Sequence, residues 1–126
     1  MLPFKIIRKK DPKDKDSPTK FYAHPVARDT ISLRELGDII VRRSSLTRGD
    51  VANVLTNLSE LLPELLKQGY KIDLGDMGTF RPSFGSEGAE TADNFRADMI
   101  RKPKVIYRPH KLMVRELENA EFEKIK

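Results

Sequence analysis

The chain has 126 residues, 38% of them hydrophobic and 34% charged, with 24 Lys and Arg against 19 Asp and Glu for a net charge of +5. That length suits one small domain that buries only part of the surface its unfolded chain exposes, so a partner chain would add to its core. The absence of cysteine excludes disulfides and thiolate metal sites. No apolar run reaches the length of a bilayer span and the N-terminus lacks the apolar stretch of a signal peptide, so the expectation is a cytoplasmic protein.

The positive charge is unevenly placed. Residues 1–31 carry eight basic and four acidic side chains and residues 81–111 carry seven and four, whereas 32–80 and 112–126 are each slightly acidic. The cationic excess therefore falls outside the segments with helical periodicity, at the ends of expected strands.

In chain order, "FKIIRK" at 4–9 and "KFYAH" at 20–24 read as two short strands joined by the exposed loop "KDPKDKDSPT". Residues 1–31 are thus expected to form an N-terminal β-hairpin. Ser32 with Glu35 three residues later has the spacing of a capped helix start, and Leu33, Leu36 and Ile40 share one helical face. Thr47 with Asp50 opens a second helix after a tight connection. Its apolar stripe runs through Val51, Val54, Leu55, Leu58, Leu61, Leu62, Leu65 and Leu66, wide enough for more than one neighbour, and Gly69 closes it. Pro63 predicts a kink and not a stop, because the apolar phase continues beyond it.

From Tyr70 the period becomes two, with Tyr70, Ile72 and Leu74 on one side of a half-buried strand. "LGDMGTF" then reads as a hairpin connection, followed by a strand in which Phe80, Pro82 and Phe84 share a face. "GSEGAETADN" offers no aliphatic side chain larger than Ala and is expected to project as an arm over residues 84–96. "FRADMIRKPKVIYR" is expected to return as one strand, after which Pro109 begins a C-terminal helix with Leu112, Met113 and Leu117 turned inward. Residues 123–126 remain as a tail.

Two stretches, "GYKIDLGDMGTFRPS" and "VIYRPHKLMVREL", together with the order of elements over about residues 32–122, resemble the histone-like HU and integration host factor family. Met77-Gly78-Thr79-Phe80 stands where that family has its Gly-x-Phe turn, and Tyr107-Arg108-Pro109 stands where it has an aromatic, a basic residue and proline. The resemblance implies an α+β fold: an intertwined homodimer with a helical base, an antiparallel sheet as a saddle, and β-arms that reach around double-stranded DNA. It also implies an architectural, histone-like function with low sequence preference, in a cytoplasmic protein associated with the nucleoid. Such binding works through phosphate neutralisation and groove shape, and the residues assigned to it are Arg81, Arg96, Arg101, Lys102, Lys104, Arg108 and Lys111.

Two departures qualify what carries over. The family's arm tip bears an Arg-Asn-Pro stretch whose proline wedges between base steps, whereas residues 85–95 contain no Pro, Lys or Arg and carry Glu87, Glu90 and Asp93. Acidic groups repel phosphates, so insertion of this tip into DNA is not expected. The N-terminal hairpin is the second departure, having no counterpart in the shorter family members.

Catalysis is not expected. Ser32, Ser44 and Ser45 sit at helix starts as caps, the glycines at 85 and 88 lack the following helix of a phosphate loop, and His24 and His110 have no partners at metal-ligand spacing. No cofactor, small-molecule substrate or membrane is implied. The alternative to DNA binding is a dimeric protein-protein interaction or structural module on the same fold, which the acidic arm favours as the basic returning strand favours DNA.

Overall fold

The computed structural model describes residues 1–10, 12–14 and 16–125. The elements in order are β1 (Leu2–Lys9), β2 (Lys20–Pro25), α1 (Leu33–Arg42), α2 (Arg48–Lys67), β3 (Ile72–Asp73), β4 (Thr79–Ser83), β5 (Lys104–Arg108), α3 (Lys111–Glu118) and β6 (Phe122–Lys124). This is a mixed α+β chain whose strands form two three-stranded sheets, ordered β2-β1-β6 and β3-β4-β5. It divides into two compact units, one comprising Met1–Ile31 with Arg115–Lys126 and the other Ser32–Val114.

In the first unit β1 and β2 pair antiparallel from Phe4↔Pro25 to Lys9↔Lys20. Within their connection the Asp14 carboxylate accepts from the Asp16 N–H at 3.0 Å and the Ser17 hydroxyl donates to the Asp14 carbonyl at 2.8 Å. Asp11 and Lys15, part of the same expected loop, lie outside the described residues. The segment expected as a tail instead supplies β6, parallel to β1 with Leu2↔Phe122, Pro3↔Glu123 and Phe4↔Lys124 in register. Its cause is an edge: β1 offers free backbone groups there, and the Leu2 N–H donates to Glu121 at 2.7 Å while Ile125 donates to Phe4 at 2.8 Å. Three residues of alternation are too few to announce a strand in a sequence.

Both helix starts of the second unit are built as their residues require. The Ser32 hydroxyl accepts the Glu35 N–H at 3.1 Å, and the Thr47 hydroxyl accepts the Asp50 N–H at 3.1 Å. Helix α2 runs unbroken through Pro63. Gly37 of α1 faces Leu55 and Val51 of α2, where a Cβ would stand at ordinary contact distance, 3.6 and 3.7 Å. Arg48 and Asp38 bridge the two helices at their exposed edge, 3.5 Å apart.

Burial departs from the broad core expected of the α2 stripe. Within α1 and α2 only Val51 and Leu66, 4% and 8% exposed, are buried, while Leu33, Leu36, Ile40, Leu46, Val54 and Leu61 remain exposed. On α3, Leu112, Met113 and Leu117 were expected to face inward, and all three are open to solvent in the single chain. The stripe is present in sequence, but one chain lacks the layers to cover it.

The arm and the returning strand also differ from expectation. β4 stops at Ser83 and β5 begins only at Lys104, with the intervening segment closed near its base by a Ser86↔Ile100 bridge and by hydrogen bonds from Arg101 to Gly85 (2.8 Å) and Glu87 to Met99 (2.9 Å). Two single 3₁₀ turns, Ala92–Asn94 and Ala97–Met99, take up the rest. Short polar side chains there hydrogen-bond their own backbone, as the Thr91 hydroxyl does with the Asn94 N–H at 3.2 Å, in competition with a ladder. Pro103 has no N–H to give, and the strand starts just after it.

Replacing Thr47 by Ala should lower unfolding free energy by about 1 kcal/mol, while Thr47→Gly should cost only a few tenths, because glycine leaves the cap N–H groups open to water. Urea denaturation midpoints of the two variants check this; equal losses would mean that Thr47 acts through packing and not as a cap.

Candidate nucleic-acid interface

The site grows out of the turn between β3 and β4. Asp73 accepts the Gly75 N–H on its carboxylate at 2.8 Å, Gly75–Met77 form a 3₁₀ turn, and the Leu74 N–H donates to the Gly78 carbonyl at 2.9 Å. Gly75 and Gly78 both have positive φ, 64° and 108°. Gly78 is required twice over, because a Cβ would collide with the Arg108 carbonyl and stand 3.0 Å from Pro109 Cα and 3.1 Å from the Tyr107 ring. This close approach seats the turn against the end of β5.

Tyr107 holds the same junction from the other side. Its hydroxyl donates to the Met77 carbonyl at 2.7 Å, with the Met113 sulfur 3.3 Å from the same oxygen. Its ring packs on Phe80 with centroids 4.9 Å apart. His110, given no role by the sequence, closes the start of α3: its Nδ1 accepts the Leu112 N–H at 3.1 Å. Its place just before the first helical residue is the signal that would have found it. The helix begins at Lys111 and not at Pro109, which ends the strand.

With β5 so anchored, the β4–β5 register is Thr79↔Arg108, Phe80↔Tyr107, Arg81↔Ile106, Pro82↔Val105 and Ser83↔Lys104. Paired residues share a face and neighbours alternate. One face therefore carries Arg81, Lys104 and Arg108 around Ile106, and the other carries Phe80 and Tyr107 with Ile72 of β3. All three cations are exposed and, among the described residues, none of them forms an ion pair. Asp73 of β3, paired with Thr79, lies on this face too, its carboxylate taken up by the Gly75 N–H, so the guanidinium and ammonium groups are presented to phosphates unpaired, with one acidic neighbour two strands from Arg108.

The other four residues assigned from sequence are placed differently. Arg101 and Lys102 precede β5 in the connecting segment, not on the strand as expected, because the ladder begins after Pro103. Arg96 is turned to its own neighbour, with Nε 3.3 Å from the Asp98 carboxylate. Lys111 is the first residue of α3 and points from a different element. Glu87, Glu90 and Asp93 all lie exposed on the connecting segment.

Tyr107→Phe should lower stability by about 1 kcal/mol, since the Met77 carbonyl loses its donor while the ring contact with Phe80 persists. Thermal unfolding followed by circular dichroism would register this as a fall of a few degrees; no change would mean the hydroxyl is not what holds the turn.

A solved structure supports the fold. A crystal structure of a candidate bacterial DNA-binding protein from Bacteroides vulgatus ATCC 8482 superposes with a TM-score of 0.68 at 14% sequence identity, over 98% of this chain and 48% of that one. The present chain therefore spans about half of that protein's length. No curated protein matches the chain. The matching family model covers residues 1–124, nearly the whole sequence and both structural units. Together with the Gly78 turn and the aromatic-basic-proline junction at Tyr107, this match assigns the chain to the HU-HIG family, described as an HU domain fused to wHTH, Ig, or glycine-rich motif.

Proposed function

We infer that the chain binds double-stranded DNA as an architectural, histone-like protein with low sequence preference. The observation that carries this reading is the shared face of Arg81, Lys104 and Arg108, exposed and without an ion pair among the described residues. Three cations on a rigid ladder suit phosphate contacts, which supply affinity without reading bases. Arg101, Lys102 and Lys111 extend the contact from neighbouring elements, and Arg96 contributes less because Asp98 already answers its charge. The HU-type family and the description of the Bacteroides vulgatus protein as a candidate DNA-binding protein support the same direction.

The working form is a homodimer. Leu33, Leu36, Ile40, Val54 and Leu61 on α1 and α2, with Leu112, Met113 and Leu117 on α3, leave more apolar surface open than a helical base keeps in water. A second copy of the same helices would cover it, each fully buried leucine contributing on the order of 2 kcal/mol. The DNA-contacting part is residues 32–122, with residues 1–31 an addition to it. The protein acts in the cytoplasm at the nucleoid, without cofactor and without catalysis.

A second reading, a dimeric protein-interaction module, is favoured by one feature, the acidic connecting segment with Glu87, Glu90 and Asp93 exposed. Its charge sets the segment away from phosphates. DNA contact then comes from the sheet face, and bending is shallower than with proline-tipped arms.

Combined Arg81→Ala, Lys104→Ala and Arg108→Ala should weaken binding to random duplex and reduce the log-log salt slope by about 3 units in mobility shifts at several ionic strengths. Glu87→Gln with Glu90→Gln should leave affinity unchanged or slightly raised. An unaltered slope in the triple variant moves the reading to the protein-interaction alternative. Sedimentation should return twice the chain mass of 14.4 kDa, and a folded monomer at micromolar concentration would remove the homodimer.

A further inference from the structure

We propose that the N-terminal sheet holds a second nucleic-acid site, one that takes an unpaired strand on the face formed by Lys5, Lys9, Lys20, Tyr22 and His24. The site goes beyond duplex binding by the β4–β5 face and stands without it.

The β1–β2 register sorts the hairpin into two unlike faces. Phe4↔Pro25, Ile6↔Ala23 and Arg8↔Phe21 make one of them, largely apolar, with the Arg8 guanidinium 5.8 Å from the centre of the Phe21 ring. Lys5↔His24, Ile7↔Tyr22 and Lys9↔Lys20 make the other. On that second face three basic side chains and an imidazole surround a single aromatic, Tyr22, which is 47% exposed. Ile7, Lys9, Lys10, Tyr22 and His24 line one shallow concavity there.

Two features separate this face from an ordinary solvated surface. Lysines directly opposite each other on neighbouring strands repel, so the Lys9↔Lys20 pair costs stability unless an anion lies between them. Two carboxylates of this unit are engaged elsewhere: Glu123, which the β1–β6 register puts on the same face, is 3.6 Å from Arg28, and Asp14 holds the loop backbone. Lys5, Lys9, Lys20 and His24 form no ion pair among the described residues.

The aromatic decides what kind of strand fits. Phosphates of a duplex would satisfy the lysines but leave the Tyr22 ring without a partner, because paired bases keep their faces stacked inside the helix. An unpaired base can lie on the ring while its flanking phosphates reach the lysine pair on one side and the Lys5–His24 pair on the other. Successive cross-strand pairs are about 7 Å apart along the strands, within the reach of one extended nucleotide. Cations that track a backbone around an exposed aromatic are the recurring form of single-strand sites.

Fluorescence anisotropy of the full chain with labelled oligothymidylate and with a labelled duplex tests this. Tyr22→Ala should weaken oligothymidylate binding about tenfold, Tyr22→Phe should retain it, and both should leave duplex binding unchanged. Lys9→Ala with Lys20→Ala should lower the single-strand salt slope by about 1.4 units. Arg8→Ala, on the opposite face, should change neither ligand. The proposal is overturned if the Lys9/Lys20 variant keeps the parent's oligothymidylate affinity and slope, or if Tyr22→Ala and Tyr22→Phe are equally weak. It is overturned also if the parent binds vesicles of anionic phospholipid through these lysines and does not bind oligothymidylate. Loss of duplex binding in the Arg81/Lys104/Arg108 variant is scored separately, so failure of either site leaves the other readable.

Discussion

The contact between the Gly78 backbone and the Arg108–Pro109 backbone is the constraint from which the rest of the second unit's surface follows. It is possible only because position 78 has no side chain and a left-handed φ of 108°, and the Tyr107 hydroxyl secures it by bonding Met77 across thirty residues of sequence. Once that corner is set, β5 can pair with β4 in one register only. A slip of one residue would carry Lys104 and Arg108 to the side of Phe80 and turn Tyr107 to the other, breaking the ring contact and taking the hydroxyl away from Met77. The cationic face is therefore a consequence of packing at the turn.

The helices present the opposite situation, with firm local structure and little burial. Capped starts at Ser32 and Thr47 define α1 and α2, which meet at Gly37, Val51 and Leu55, yet just two side chains of these helices are buried. Secondary structure here is locally specified, while the hydrophobic stabilisation it normally relies on awaits another surface.

The sheet of the first unit shows how a charged sequence becomes a directed surface. In "FKIIRK" and "KFYAH" lysines, arginine and apolar residues are interleaved without obvious order, and read linearly they suggest an exposed hairpin and no more. Pairing divides them. Arg8 goes to the apolar side and stacks on Phe21, while Lys5, Lys9 and Lys20 collect on the other side with Tyr22. Strand β6, contributed from far along the chain, completes the sheet on β1's other edge.

What the sequence determined by itself is whatever depends on neighbours a few residues away. The helix caps at Ser32 and Thr47, the turn at Gly75–Gly78, the hairpin at the N-terminus and the excess of cations in two segments were all readable, because each arises from contacts within one turn or one alternation. Tertiary structure decided which cations act together. Arg81, Lys104 and Arg108 are joined by a ladder across more than twenty residues, Arg101 and Lys102 are left off it by Pro103, and Arg96 is drawn to Asp98. It also decided that Phe122–Lys124 would fill an edge of β1 and that the segment after Ser83 would fold into 3₁₀ turns and not extend as strands. Register and edge pairing are set by which backbone groups find partners in space, and linear order carries too little of that information to fix a face.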